Sequence, residues 1–275
     1  MRSLIVAHDL TDLSANALGR GIRLAARHGA ALHVVHVVPD DDEPGAAEAA
    51  RGRLAAETRI MAEELTGSAP DLSVTVLAGD PAEAIGREAG RVGADLVLLG
   101  AHGEPRLRDV LFRTTAMSLA HAGAHPVLVV QTAHHAPYDK VMIAVEGESS
   151  ARATLRAAGT LAPDAELFSV HAFEPTVAET LFRPRTVQAR QSERERALEA
   201  LADRLLPTGC ARHHRAIARD GEVMEVLMKT WLELMPTLLV MGTQRRRGLV
   251  RLLAGNLTDP VLLACTSDIL LVPMD

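Results

Sequence analysis

The chain has 275 residues and a net charge of −6, and at roughly 150 residues per domain its length predicts two domains. Apolar residues at 48% and charged residues at 23% exclude wholesale disorder, and the acidic balance excludes a general positive field for nucleic acid or anionic lipid. Aromatic residues are only 2%, which excludes base-stacking platforms and predicts an aliphatic core.

In chain order, Leu4–Ala7 reads as a buried strand followed by His8 and Asp9, too short an apolar run for a secretion signal. Leu18, Ile22 and Ala25 then fall at helical spacing, with Thr11 or Asp12 as cap and Gly29 as stop. A second strand, Leu32–Val38, follows. Asp80-Pro81-Ala82-Glu83 opens a helix with a capping carboxylate, proline at the first helical position and an acid in the first turn. The run Asp95–Leu99 is a strand ending in Gly100-Ala101-His102-Gly103; nine residues later, Arg113-Thr114-Thr115-Ala116 starts a helix toward the strand Pro126–Val130.

The same order then returns. Val141–Glu146 matches Leu4–Asp9, Leu167–Phe173 matches Leu32–Val38, and Gly221–Glu225 matches Gly79–Glu83. Thr237–Gly242 matches Asp95–Gly100, and Asp268–Val272 matches Pro126–Val130, at offsets from about 135 to about 142 residues. Short aliphatic runs alternating with helices indicate buried parallel strands joined by right-handed crossovers. The expected fold class is α/β, as two tandem doubly wound Rossmann-like domains, each a five-stranded parallel sheet flanked by helices. The expected boundaries are residues 1–136 and 137–275, with His134–Tyr138 as linker.

Ligands of such sheets settle at the carboxyl ends of strands, where helix amino termini attract anions. Gly100 and Gly103 would let backbone amides approach a phosphate, with Thr114 and Thr115 offering hydroxyls at a helix start. The same residues also fit a glycine turn capped by threonine. Elsewhere the chemistry is sparse. Cys210, His213 and His214 lack a further fixed ligand, so no metal is expected. The equivalent His36 and His171 read as packed strand histidines, while His8 and Asp9 form an acid–base pair without an obvious nucleophile, so no catalytic residue is expected. Arg245, Arg246, Arg247 and Arg251 read as a solvated face, or as an anion attractor. All but two of the 29 basic residues are arginine, through codon bias or selection for forked phosphate donors. Two cysteines build no disulfide framework and no apolar stretch is long enough to span a membrane, so a cytoplasmic protein without membrane or nucleic-acid partners is expected.

Taken together, the doubled order with Asp9, Gly100, Gly103 and Thr114 resembles tandem universal stress proteins over nearly the whole chain. ATP-binding members of that family carry Gly-x-x-Gly, nine residues, then Gly-Ser or Gly-Thr, and an acid after the first strand. The resemblance implies the adenine nucleotide alpha hydrolase-like form of the fold and ATP with magnesium as ligand. Asp9 and the backbone near Val37 would hold adenine, and Gly100, His102, Gly103, Arg113, Thr114 and Thr115 would line ribose and phosphates. Arg113 replaces the family's third glycine: its bulk closes the pocket, or its guanidinium grips a phosphate. A turn of positive φ would disfavour it by about 1 kcal/mol, which tilts the expectation toward weaker binding. In the second half Glu146, Gly242, Arg245, Gly255 and Asn256 stand at the matching places, with three departures from the pattern.

By resemblance, the function is that of a non-enzymatic stress-response protein. The alternatives are an interaction scaffold with decayed sites, or a slow ATPase or self-phosphorylating protein using Thr114 or Thr115. Family dimers pair through the last strand, so Val127–Val130 is expected to meet Ile269–Val272 within one chain, with a homodimer of whole chains as a further expectation.

Overall fold

Every residue of the first strand, β1 (Ser3–Ala7), is buried, which requires layers on both of its faces. The computed structural model, describing residues 1–40, 45–68, 71–100, 107–132, 137–174, 184–206, 213–244, 261 and 264–274, supplies them. After β1 come α1 (Asp12–His28), β2 (Ala31–Val38), α2 (Ala46–Thr66), β3 (Leu72–Ala78), α3 (Pro81–Val92), β4 (Leu96–Gly100), α4 (Leu107–Ala122) and β5 (Val127–Val130). The second half runs β6 (Lys140–Ala144), α5 (Glu148–Leu161), β7 (Glu166–Phe173), α6 (Pro184–Leu205), β8 (His214–Asp220), α7 (Val223–Leu234), β9 (Leu238–Gln244) and β10 (Asp268–Met274). Among the described residues no helix is long and apolar enough to cross a membrane.

All ten strands form one sheet in the order β3-β2-β1-β4-β5-β10-β9-β6-β7-β8. Each half is a five-stranded parallel sheet. The halves meet where β10 runs antiparallel to β5, with Ile269 opposite Val129, Leu270 opposite Leu128 and Leu271 opposite Val127. Two apolar edges that would otherwise template aggregation are thereby covered. Because the junction is antiparallel, the carboxyl edges of the two halves face opposite ends of the sheet.

Strand side chains alternate between two layers with period two. Leu4, Val6, Leu98, Val141 and Val240 face the core under α1, α2, α5 and α6. Ile5, Ala7, Leu99, Met142 and Leu239 face the core under α3, α4 and α7. Helix α1 lies close on the sheet because Gly21 has no side chain; a Cβ there would come within 2.4 Å of Val6 Cγ2.

Two expected helix signals work as read. Gly29 closes α1 at φ 60°, and Asp80 accepts the Glu83 N–H at 3.0 Å at the start of α3. Thr11 is the N-cap of α1 but makes no side-chain cap bond; its hydroxyl donates to Asp9 Oδ1 at 2.6 Å instead. The expected helix start at Arg113-Thr114-Thr115 is corrected: α4 begins at Leu107, placing those residues in its interior. Leu107–Phe112 contains neither glycine nor proline, and with Arg in place of the third glycine nothing interrupts the helix.

A buried polar cluster locks the junction. Asp268, fully buried at the start of β10, accepts from Gln131 N at 2.8 Å, Thr132 N at 2.9 Å and Thr132 Oγ1 at 2.8 Å through Oδ1. Its Oδ2 accepts from the Tyr138 hydroxyl at 2.6 Å and faces Arg20 Nε of α1 at 3.4 Å. The Arg20 guanidinium stacks over Tyr138 at 4.3 Å. Burial and the adjacent Asp268 charge push the Tyr138 phenol well above its ordinary range, so it remains a donor. The first half's helix, the segment after β5 and the second half's last strand thus share one carboxylate.

Candidate functional site

At the carboxyl edge of the first half, β1 lies between β2 and β4, with Ala7 level with Val35 and Leu99. The residues just beyond that level converge from three neighbouring elements: Asp9 after β1, Val37 in β2 and Gly100 at the end of β4. Gly100 is buried and pairs with Val130. Val37 packs on the α3–α4 side of the sheet. Asp9 is half-buried, and its Oδ1 accepts from Thr11 N at 3.1 Å as well as from the Thr11 hydroxyl.

His8, between Ala7 and Asp9, is 3% exposed. Its Nδ1 accepts from Leu10 N at 3.0 Å, which places the ring proton of the neutral form on Nε2. Among the described residues that nitrogen has no hydrogen-bond partner, and the Glu57 carboxylate stands 4.0 Å away. Burial pushes the imidazole down to about 4 despite the opposing charge of Asp9, so His8 is neutral at physiological pH. The bond to Leu10 also supports a left-handed backbone at that residue, φ 64°, a conformation costing about 1–2 kcal/mol outside glycine. His8 and Asp9 are therefore each engaged with their own turn. His36 donates from Nδ1 to the His8 carbonyl at 2.8 Å, as His171 does to Val145 O at 2.9 Å in the second half. Both strand histidines are satisfied, as read from the sequence.

Of the other expected site residues, His102 and Gly103 lie outside the described residues. Arg113 and Thr114 are interior to α4, and Thr115 is buried there at 7% exposure. Backbone N–H groups inside an α-helix are committed to carbonyls four residues earlier, so those of residues 113–115 are not phosphate donors. The N–H groups that lack a partner within the helix are those of its first turn, Leu107–Val110.

The second half arranges its counterparts differently. Glu146 is exposed, and its N–H donates to Ser150 Oγ at 3.0 Å, a contact that belongs to the start of α5. Strand β9 continues two residues past Gly242, to Gln244, paired with β10 as far as Met274. Met274 covers Gly242 so closely that an added Cβ would meet its Sδ at 2.5 Å. Met274 occupies that side of Gly242, the second-half counterpart of Gly100. Arg245, Gly255 and Asn256, with Arg246, Arg247 and Arg251, lie outside the described residues. So does Cys210, while His214 Nε2 is engaged with Ser169 Oγ at 2.8 Å. Among the described residues no group of three or more His, Cys, Asp or Glu side chains could hold a metal ion.

Sequence reasoning missed the role of Leu10 in the turn after β1 and the cover that Met274 places over Gly242. Positive φ at a leucine has no sequence signal, and the Met274 contact arises only from the β9–β10 register.

Two doubly wound half-sheets of order 3-2-1-4-5, each with its strand carboxyl ends gathered at one edge, define a tandem α/β protein of the Rossmann-like class. A sequence model of the universal stress protein family matches the chain twice, over residues 1–131 and 137–273, and the chain belongs to that family as a tandem member. It is similar to the stress response protein NhaX of Bacillus subtilis (strain 168), at 28% identity over 163 positions covering 46% of this chain and 96% of the relative. It is also similar to a universal stress protein of Thermus aquaticus from the QAH/OAS sulfhydrylase 3′ region, at 32% identity over 136 positions covering 47% and 98%. Among solved structures, a universal stress protein from Archaeoglobus fulgidus DSM 4304 superimposes with TM-score 0.72 at 14% identity, over 98% of each chain. A Pseudomonas aeruginosa UCBPP-PA14 chain assigned to the universal stress proteins gives 0.69 at 23% identity, over 100% of this chain and 94% of that one. At these identities the likeness is one of fold.

Proposed function

We propose that this chain is a stress-response protein whose first half binds an adenine nucleotide at the carboxyl edge of β2, β1 and β4, and that it acts by binding rather than by turnover. The names of the two curated relatives support the stress-response part. The observation that carries the nucleotide part is the convergence of Asp9, Val37 and Gly100, within two residues of the Ala7–Val35–Leu99 level, at one edge of three adjacent elements. Asp9 supplies an acceptor for the adenine amino group, and Val37 supplies an apolar surface on the same side as α4. The phosphates take N–H groups of the first turn of α4, which have no partner within the helix, with the helix dipole behind them. The second half is the weaker nucleotide candidate because Met274 covers Gly242.

Calorimetry with ATP and magnesium on the wild type, Asp9→Ala and Arg113→Gly tests this reading. The wild type should bind one nucleotide per chain, and Asp9→Ala should weaken it about tenfold, equivalent to about 1.4 kcal/mol. Absence of binding to both wild type and Arg113→Gly at millimolar nucleotide sinks the proposal. With labelled ATP, phosphate release and protein labelling should both stay at the blank level.

A further inference from the structure

On the sheet face covered by α5 and α6, a cavity of about 340 Å³ opens between the amino end of α5 and the flank of α6. It is separate from the edge that corresponds to the proposed nucleotide site. His171 faces α6, whereas Ala172, the counterpart of Val37, packs into the opposite core beside α7. The walls are mainly apolar, built by Val145, Leu198 and Leu201.

Two positions of the repeat border the space. Where the first half has the buried His8 and the core-packed Leu10, the repeat places Val145 and Gly147. A Cβ added to Gly147 meets nothing within 4 Å, so the wall is open at that point.

The polar end of the cavity is organised in advance. His171 donates from Nδ1 to Val145 O, and its bare Nε2 accepts from Arg194 Nε at 3.0 Å. The Arg194 guanidinium lies over the Phe173 ring at 4.6 Å. These contacts hold the fork in place, while its two terminal NH2 groups make no hydrogen bond to a described residue. Parallel N–H groups on a fixed guanidinium match a carboxylate in bidentate geometry. Two exposed residues of opposite charge, Arg204 and Glu148, also line the cavity. Glu148 is paired with Arg152 at 2.5 Å, and with walls that are mainly apolar around one fixed guanidinium, a monoanionic head is less costly to desolvate than a phosphate dianion.

We infer that this cavity is a second ligand site, for an amphiphilic monocarboxylate whose head is held by Arg194 and whose apolar tail lies against Val145, Leu198 and Leu201. At about 30 Å³ per non-hydrogen atom, the share of a water molecule in the liquid, the volume takes roughly eleven such atoms. The size is within the usual range of small-molecule pockets.

Octanoate is a suitable probe, with 1-octanol as its uncharged counterpart and inorganic phosphate as an anion without a tail. Calorimetry on the full chain should show one octanoate bound at submillimolar affinity and 1-octanol at least about tenfold weaker. Arg194→Met should lose most of the octanoate affinity and leave 1-octanol unchanged. Gly147→Leu, on extended backbone that accepts any residue, should abolish both, and it keeps the test decisive if the Arg194 variant does not fold. The inference is overturned by no octanoate binding to wild type at about 5 mM, a ceiling well above the expected constant. It is equally overturned by octanoate affinity that survives Gly147→Leu, or by phosphate binding in preference to octanoate. ATP binding plays no part in these readouts, so failure here leaves the nucleotide proposal to its own test.

Discussion

Replacing Asp268 by Asn tests whether one buried carboxylate couples the two halves. The side chain keeps its shape, and its remaining oxygen can still accept from Gln131 N, Thr132 N and Thr132 Oγ1. The amide NH2 then replaces Oδ2, which now accepts from the Tyr138 hydroxyl and faces Arg20 Nε at 3.4 Å. Tyr138 can adapt by turning its hydroxyl, but Arg20 gains a donor where it had an anion. With Arg20 only 4% exposed, water screens little of that loss. Breaking a buried pair from one side costs about 3–5 kcal/mol, so a loss at the lower end, about 3 kcal/mol, is expected. Urea unfolding followed by circular dichroism and by fluorescence reads it out. The single tryptophan, Trp231, donates to Ser267 Oγ at 2.8 Å, next to Asp268, and so reports locally on the junction. Adding Arg20→Met to Asp268→Asn should recover at least about 1 kcal/mol, because the two sites share one network. A cost below about 1 kcal/mol for Asp268→Asn, or strict additivity in the cycle, refutes the reasoning.

Two further expectations follow from buried groups. His8 is held at about 4, below its ordinary 6.5, so the unfolded chain protonates first on acidification. Its contribution is present above pH 6.5 and is lost as the pH falls toward 4, amounting to roughly 2–3 kcal/mol by about pH 4.5. His8→Asn keeps an acceptor for Leu10 N, and urea midpoints at neutral and acid pH should show it less acid-sensitive than wild type. His214, also held at about 4, retains part of the slope, and identical acid sensitivity in the two proteins counts against the assignment. Gly21→Ala gains about 1 kcal/mol of helix propensity, yet its Cβ would collide with the stiff, fully buried Val6. Overpacking of about 1–3 kcal/mol should dominate, giving a lower thermal midpoint that Val6→Ala partly relieves in the Gly21→Ala background; a raised midpoint for Gly21→Ala is the contrary result.

The strands were legible because parallel strands covered on both faces need uninterrupted aliphatic runs, as in Leu4–Ala7 and Leu96–Leu99. Gly29 and Asp80 were legible because caps answer to local backbone geometry. Asp9, Val37 and Gly100 could be chosen from the repeat and the family resemblance, since strand order carries them to one edge. The helix start at Leu107 was not legible: a glycine loop and a helix differ there in a few backbone dihedrals, and Arg113 removes the residue that would favour the loop.

From the sequence alone came the doubled α/β order, the aliphatic core and the candidate edge, all consequences of periodicity and local chemistry. The pairing of β5 with β10 was expected from the family resemblance, but only the tertiary structure decided its register, that Asp268 unites Arg20, Thr132 and Tyr138, and that Met274 covers Gly242. It also decided that Val145 and Gly147, at the places of His8 and Leu10 in the repeat, line a cavity with Leu198 and Leu201 of α6. Those features depend on register and on side chains meeting across more than a hundred residues of chain, and no local preference encodes such distances.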